Sequence, residues 1–211
     1  MDGDRYPLSF TAAGLSRRES VQMANLFLEF GDWSVVRERM LDDNLLQVRT
    51  RSALLRIGRE ILSRLQQLDH NQLSLLVEAN AQDQGYLLWL AVCRRYRFIA
   101  DFAVDVLHER SLNLMTDLSH SHFDAFFNRK AEWHPELEQL ANSTRLKIRQ
   151  ILFRLLREAG LLSATDGINP VMLSPAMLQT LAPHQRGELR YFPPFAAELE
   201  RLAPIRDAQP G

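Results

Sequence analysis

An all-α fold, arranged as a two-lobed helical bundle, follows from three observations. Apolar residues recur at helical spacing in segment after segment, and strand-like alternation is almost absent. A hydrophobic content of 46% in 211 residues is enough for a substantial core, in one domain or in two small ones. The residues that cap and stop helices also change character around positions 111–121, where SLNLMTDLSHS combines small and polar residues with weak periodicity. The expected division is an N-terminal helical bundle over 1–112 and a C-terminal helical domain over 121–195.

In the first part, residues 14–30 read as a helix ended by Gly31, and residues 34–42 as a short one begun after Asp32 and Trp33. Residues 50–68 are clearer. Leu54, Ile57, Gly58, Ile61, Leu65 and Leu68 make a core stripe, while Arg49, Arg56, Glu60 and Arg64 face away. Residues 71–81 follow, capped near Asp69. The segment 87–107, LLWLAVCRRYRFIADFAVDVL, reads as a single amphipathic helix with Trp89, Val92, Tyr96, Ile99 and Phe102 on one arc. Arg94, Arg97, Asp101, Asp105 and His108 fall on the opposite stripe. Arg95 falls inside the apolar arc, which predicts a buried ion pair with a carboxylate from another helix.

In the second part, residues 123–133 form one helix and 135–140 a short one with Pro135 in its first turn. Asn142, Ser143 and Thr144 offer the turn and cap of a helix over 144–159, with Gly160 past its end. LLSA, an Asp166-Gly167 turn and INPVML predict a small hairpin, and Ser174 and Pro175 open a short helix stopped by Pro183. Three helices followed by a hairpin is the order of a winged helix-turn-helix module. A C-terminal β-hairpin of that type therefore stands beside the plainer alternative, that these helices extend the bundle. The tail beyond Phe195 is expected to fray.

A net charge of −1 argues against a globally basic nucleic-acid binder, so any such activity needs charge segregated onto one face. Of the 25 cationic side chains only Lys130 and Lys147 are lysines. An arginine excess suits bidentate phosphate or carboxylate contacts, although GC-rich coding would give the same bias. Cys93 stands alone, which leaves no intramolecular disulfide and no cysteine-based zinc cluster; with no secretory signal, the expected location is the cytoplasm. The longest uncharged stretch, 167–185, holds Pro170, Pro175 and Pro183, and supplies no membrane span of about 20 apolar residues.

The helix over 144–159 is the first candidate working surface. No acid occurs from Gln139 through Arg157. Ser143, Lys147, Gln150, Arg154 and Arg157 line the face opposite Ile148, Ile151, Leu152 and Leu155, with Arg145 and Arg149 on its flank. Such a face can neutralise phosphates and reach base edges from a major groove. The alternative is a solvated stripe paired with acids from elsewhere. A second basic surface gathers Arg49, Arg51, Arg56, Arg59 and Arg64, joined by Arg17 and Arg18. It ranks lower, because Glu60 lies four positions from both Arg56 and Arg64 and ion pairs would account for part of it. Asp117, His120, His122, Asp124 and His134 are donors without metal-site spacing, and no nucleophile motif or phosphate-cradling loop occurs. No cofactor or metal is expected.

The segments WLAVCRRYRFIADFAVDVL, FDAFFNRKAEWHPELE and RQILFRLLREAGLLS, in a span running from SFTAAGLSRRES to INPVMLSP, resemble the BrxA family of BREX bacteriophage-exclusion systems. The likeness covers nearly the whole chain. It implies a small, helical bacterial defence protein encoded beside other BREX genes, associated with double-stranded DNA and with a fold likened to the antitermination factor NusB. The motifs name no catalytic centre. Three functions are then open: a non-catalytic double-stranded DNA-binding component of the defence system, a scaffold that docks other BREX proteins, or an RNA-binding NusB-like protein. Self-association into a homo-oligomer is left open as well.

Overall fold

The computed structural model of the chain describes residues 5–194. The expected tail beyond Phe195 lies outside them. All the regular elements among the described residues are helical. In the first part they are α1 (Arg17–Phe30), α2 (Trp33–Asp42), α3 (Arg51–Leu65), α4 (His70–Glu78) and α5 (Ala81–Arg95). Each of α2 to α5 starts where a side chain takes up otherwise unpaired N–H groups. Asp32 accepts from Ser34 N at 2.7 Å, Thr50 from Ala53 N at 3.2 Å, and Asn80 from Gln82 N and Asp83 N at 2.9 and 3.0 Å. Asp69 and Gln72 form a reciprocal capping box ahead of α4. Gly31, at φ 70°, ends α1 in the left-handed turn that a glycine tolerates best.

At the centre is α5. Every residue from Gly85 to Cys93 is buried, so this helix is apolar all round rather than two-faced. A Cβ at Gly85 would stand 3.1 Å from the Ala159 carbonyl oxygen, which shows how closely α5 approaches the end of the later helix α10 (Asn142–Glu158). One contiguous apolar core runs from Tyr6 to Phe192 and draws on both sides of the 111–121 segment.

The helix expected over 87–107 is broken. Tyr96 is extended, at φ −127° and ψ 97°, and α6 (Arg97–Phe102) restarts at Arg97. It continues through a π-helical stretch, Ala103–His108, into α7 (Glu109–Leu112). Phases counted at 100° per residue across Tyr96 are therefore wrong on one side of it. Arg95 is only partly buried and lies 5.1 Å from the Tyr96 ring centroid, not in a buried ion pair. Arg94, expected at the surface, is the arginine held inside. Its guanidinium donates to Glu188 at 2.9 and 2.8 Å, to Gln72 Oε1 at 2.7 Å and to the Gln67 carbonyl at 2.7 Å.

The second part contains α8 (His120–Ala131), α9 (Pro135–Glu138), α10 and α11 (Pro175–Thr180). Phe98 and Phe102 meet Phe123 and Phe126 edge-on or tilted at 5.2–6.3 Å, joining α6 to α8. The β-hairpin expected after α10 does not form, and the winged element falls with it. The chain does reverse at Asp166 and Gly167, with Ser163 N donating to Gly167 O and Asn169 N to Leu161 O. Only isolated bridges result, Leu162 to Ile168 and Asp117 to Gly167. The hairpin ladder stops at Leu161, whose N–H, like that of Leu162, goes to the Leu156 carbonyl at the end of α10; Pro170, without an N–H, cannot follow Ile168 in donating toward the other side, where Thr116 lies. No strand is present among the described residues.

Residues 6–15 tie these parts together. Tyr6 donates its N–H to Glu136 at 2.8 Å and its hydroxyl to Asp101 at 2.5 Å, and Leu15 N donates to Glu158 at 2.5 Å. Arg64 donates to the carbonyls of Phe10, Ala13 and Gly14. With those carbonyls engaged, the helix expected from Gly14 begins only at Arg17.

Candidate nucleic-acid interface

The outward face of α10 exists as a surface: Ser143, Lys147, Gln150, Arg154 and Arg157 are exposed, and Arg145 and Arg149 are partly so. Its arginines are not free. Asp124, projecting from α8, accepts from Arg145 at 3.1 Å and from Arg149 at 2.8 Å. Glu158 pairs with Arg154 at 2.6 Å, and Asp166, at the chain reversal, pairs with Arg157. The acids missing from residues 139–157 are thus supplied by α8, by the last residue of α10 and by the following turn. Lys147 is the one cation of this face with no ion pair among the described residues. Leu146, Gln150 and His120, the last set against the Phe153 ring at 4.8 Å, line a shallow open groove between Arg149 and Arg157.

On α3 the situation is reversed. Glu60 and Arg64, expected to face water, are 6% and 3% exposed. The Glu60 carboxylate accepts from the Tyr96 hydroxyl at 2.7 Å and from Arg64 Nε at 2.7 Å. That withdraws Glu60 from Arg56. Arg49, Arg51, Arg56 and Arg59 all remain exposed, and none is ion-paired among the described residues. Ser52, Arg56 and Arg59 share one stripe by helical phase, with Arg51 beside it and no acid on it. Arg64 leaves the basic surface because it is part of the core. Arg17 is exposed but turned to the Ala81 carbonyl at 3.2 Å.

The possible metal donors each serve another partner. Asp117 pairs with Arg110 at 2.7 Å, and His122 Nδ1 accepts the Ser119 N–H at 3.0 Å. Asp124 holds its two arginines, while His134 lies 3.4 Å from Glu136 with its ring tilted against Tyr6. Among the described residues no group of three His, Cys, Asp or Glu side chains could hold a metal ion. Burial first, and then Glu188, push the Cys93 thiol well above its ordinary range, so it is a packing residue here. No helix among the described residues is long and apolar enough to cross a membrane.

Two residues of consequence escape sequence reasoning, and the pair Glu60 and Arg64 is placed by it on the wrong side of α3. Arg94 is hidden by the break at Tyr96, which no Gly or Pro announces. The Tyr6 contacts join residues 95 and 130 positions apart, beyond any local pattern. Glu60 is misplaced, although its i,i+4 spacing to Arg64 correctly signals their pair.

Comparison with known proteins agrees with this architecture. The BrxA family model matches residues 4–185. A BREX protein BrxA of Escherichia coli O9:H4 (strain HS) is 27% identical over 146 residues, which are 69% of this chain and 68% of its own. A BREX protein BrxA of Bacillus cereus (strain H3081.97) is 24% identical over 151 residues, 72% of this chain and 74% of its own. A crystal structure of an uncharacterized protein from Magnetospirillum magneticum has a TM-score of 0.76 at 20% identity, covering 89% of this chain and 97% of that one, a likeness of fold alone. With a family model that spans all but the ends, on helices whose packing is now described, this chain belongs to the BrxA family.

Proposed function

We propose that this chain is a non-catalytic component of a BREX phage-defence system that binds double-stranded DNA, with the exposed face of α3 as its principal phosphate contact. The observation that carries the proposal is the withdrawal of Glu60 into the core, which removes the one i,i+4 acid from Arg56 and leaves it beside Arg49, Arg51 and Arg59, none of them ion-paired among the described residues. On a chain of net charge −1, that is the segregation a phosphate-binding surface needs. Lys147 offers a further cation on α10, and Ser143 and Gln150 offer hydrogen-bonding groups beside it. Titrating duplex DNA, structured RNA and single-stranded DNA at two salt concentrations tests the proposal. Duplex binding that weakens as salt rises is expected. Preference for structured RNA would favour the NusB-like alternative, and no affinity for any of the three would contradict a nucleic-acid role.

A scaffold role is favoured by a different observation. Trp133 is 79% exposed just beyond α8, and Trp is a residue type enriched at protein-binding hot spots. In that case Trp133→Ala would abolish co-purification of another defence protein and leave duplex affinity unchanged.

A further inference from the structure

The carboxylate of Asp124, from α8, lies between two arginines of α10. Its Oδ1 accepts from Arg145 and its Oδ2 from Arg149, one guanidinium to each oxygen, as the two non-bridging oxygens of a phosphodiester would be held. Both arginines are already in position. Arg145 is stacked 4.6 Å over the buried Phe127 ring and also reaches the Asp124 carbonyl at 3.4 Å. The three side chains are 21–36% exposed, so a phosphate approaching from solvent can reach them. An ion pair this exposed is weak enough to be exchanged. Two cations and one anion leave a net charge of +1 at the cluster.

We infer that Asp124 is an internal counterion for α10, an autoinhibitory contact that a DNA phosphate must displace, and that it lowers duplex affinity by masking one of the two arginines. The inference rests on the double-stranded DNA reading proposed above and adds to it a second phosphate site with a built-in brake. Lifting the brake has a quantitative signature. Each added phosphate neutralisation steepens the dependence of log K on log salt by about 0.9.

The experiment compares the wild-type chain with Asp124→Asn, using a fluorescent DNA duplex at several salt concentrations. Asparagine keeps the shape of the side chain, removes its charge and replaces one acceptor oxygen with an NH2 donor, so that it can hold at most one of the two arginines. The expected result is about five- to tenfold tighter binding near 0.1 M salt, with a slope steeper by about one. Glu29→Gln, which removes an exposed acid at the end of α1 and changes net charge equally, is expected to leave both quantities close to wild type. Adding Arg145→Ala and Arg149→Ala to the Asp124→Asn variant should return affinity to the wild-type value or below. Wild-type binding with no gain in Asp124→Asn overturns the inference and leaves the DNA reading standing. An equal gain in Glu29→Gln, or a gain that survives loss of both arginines, also overturns it. Absence of duplex binding in every variant overturns both.

Discussion

Glu60 and Arg64 bring opposite charges into the core, where a carboxylate and a guanidinium are tolerated only if every oxygen and nitrogen finds a partner. Tyr96 and Arg64 satisfy Glu60, and three carbonyls of residues 10–14 take three of the other four N–H groups of Arg64, so that each of its nitrogens has a partner. Arg64→Ala would strand Glu60 and three carbonyls, and should cost about 3–5 kcal/mol in chemical denaturation. Arg95→Ala removes a partly exposed stacking contact and should cost about 1 kcal/mol or less. Equal losses for the two variants would contradict the assignment of Arg64 as the structural arginine. Sequence could show that Glu60 and Arg64 are neighbours, because i,i+4 spacing is local. It could not show which way the pair faces, since the deciding partners, Tyr96 and residues 10–14, are 36 and about 50 positions away.

At the scale of elements, caps were the most legible feature, except at α10: Asn142, Ser143 and Thr144, expected as its turn and cap, lie inside the helix, and Ala141 stands at the N-cap without a side-chain hydrogen bond. Asp32, Thr50, Asp69, Ser174 and Gly31 stand at the helix ends that their chemistry predicts. Two elements were not legible. The break at Tyr96 carries no Gly or Pro, and the hairpin signal of Asp166-Gly167 is genuine but is cut short because the end of α10 claims the Leu161 and Leu162 N–H groups before a strand can form. α8 adds a cap that titrates. His122 Nδ1 accepts the Ser119 N–H, and burial, then the Arg110 guanidinium, hold its pKa below the usual imidazole range against the opposing pull of Asp117. A histidine pKa lowered by folding means that the unfolded chain binds more protons between the two values. Its contribution is therefore complete above the unfolded pKa of about 6.5 and is lost as pH falls through the lower folded value. His122→Gln keeps an acceptor at the capping-box position without a titrating ring. The wild type should lose more melting temperature than His122→Gln between about pH 7.5 and about pH 5.5, and parallel losses would show that this cap is not the titrating group.

For the whole molecule, the all-helical class was written in the periodicity, and so was the burial of α5 on every side, because residues 86–93 are apolar without a break and go round the helix twice; reading 87–107 as one amphipathic helix hid it. We propose that the 111–121 segment is the join between two lobes. It holds the exposed Leu114 and Met115, and limited proteolysis should cut there first, ahead of any site within α5 or α10. First cleavage inside either helix would contradict the division. The candidate interface was legible only in part. Sequence located both basic faces, but their order of importance depends on which arginines find acids in space, and the acids Asp124 and Asp166 belong to other elements. The structure thus raises α3 above α10 as the free cationic surface. The most direct test of that claim is the salt dependence of duplex DNA binding by an Arg56→Ala, Arg59→Ala double variant. Affinity should fall, with the slope of log K against log salt shallower by about two, at unchanged melting temperature. A variant that binds with wild-type affinity and slope would contradict the claim that α3 is the phosphate-binding face.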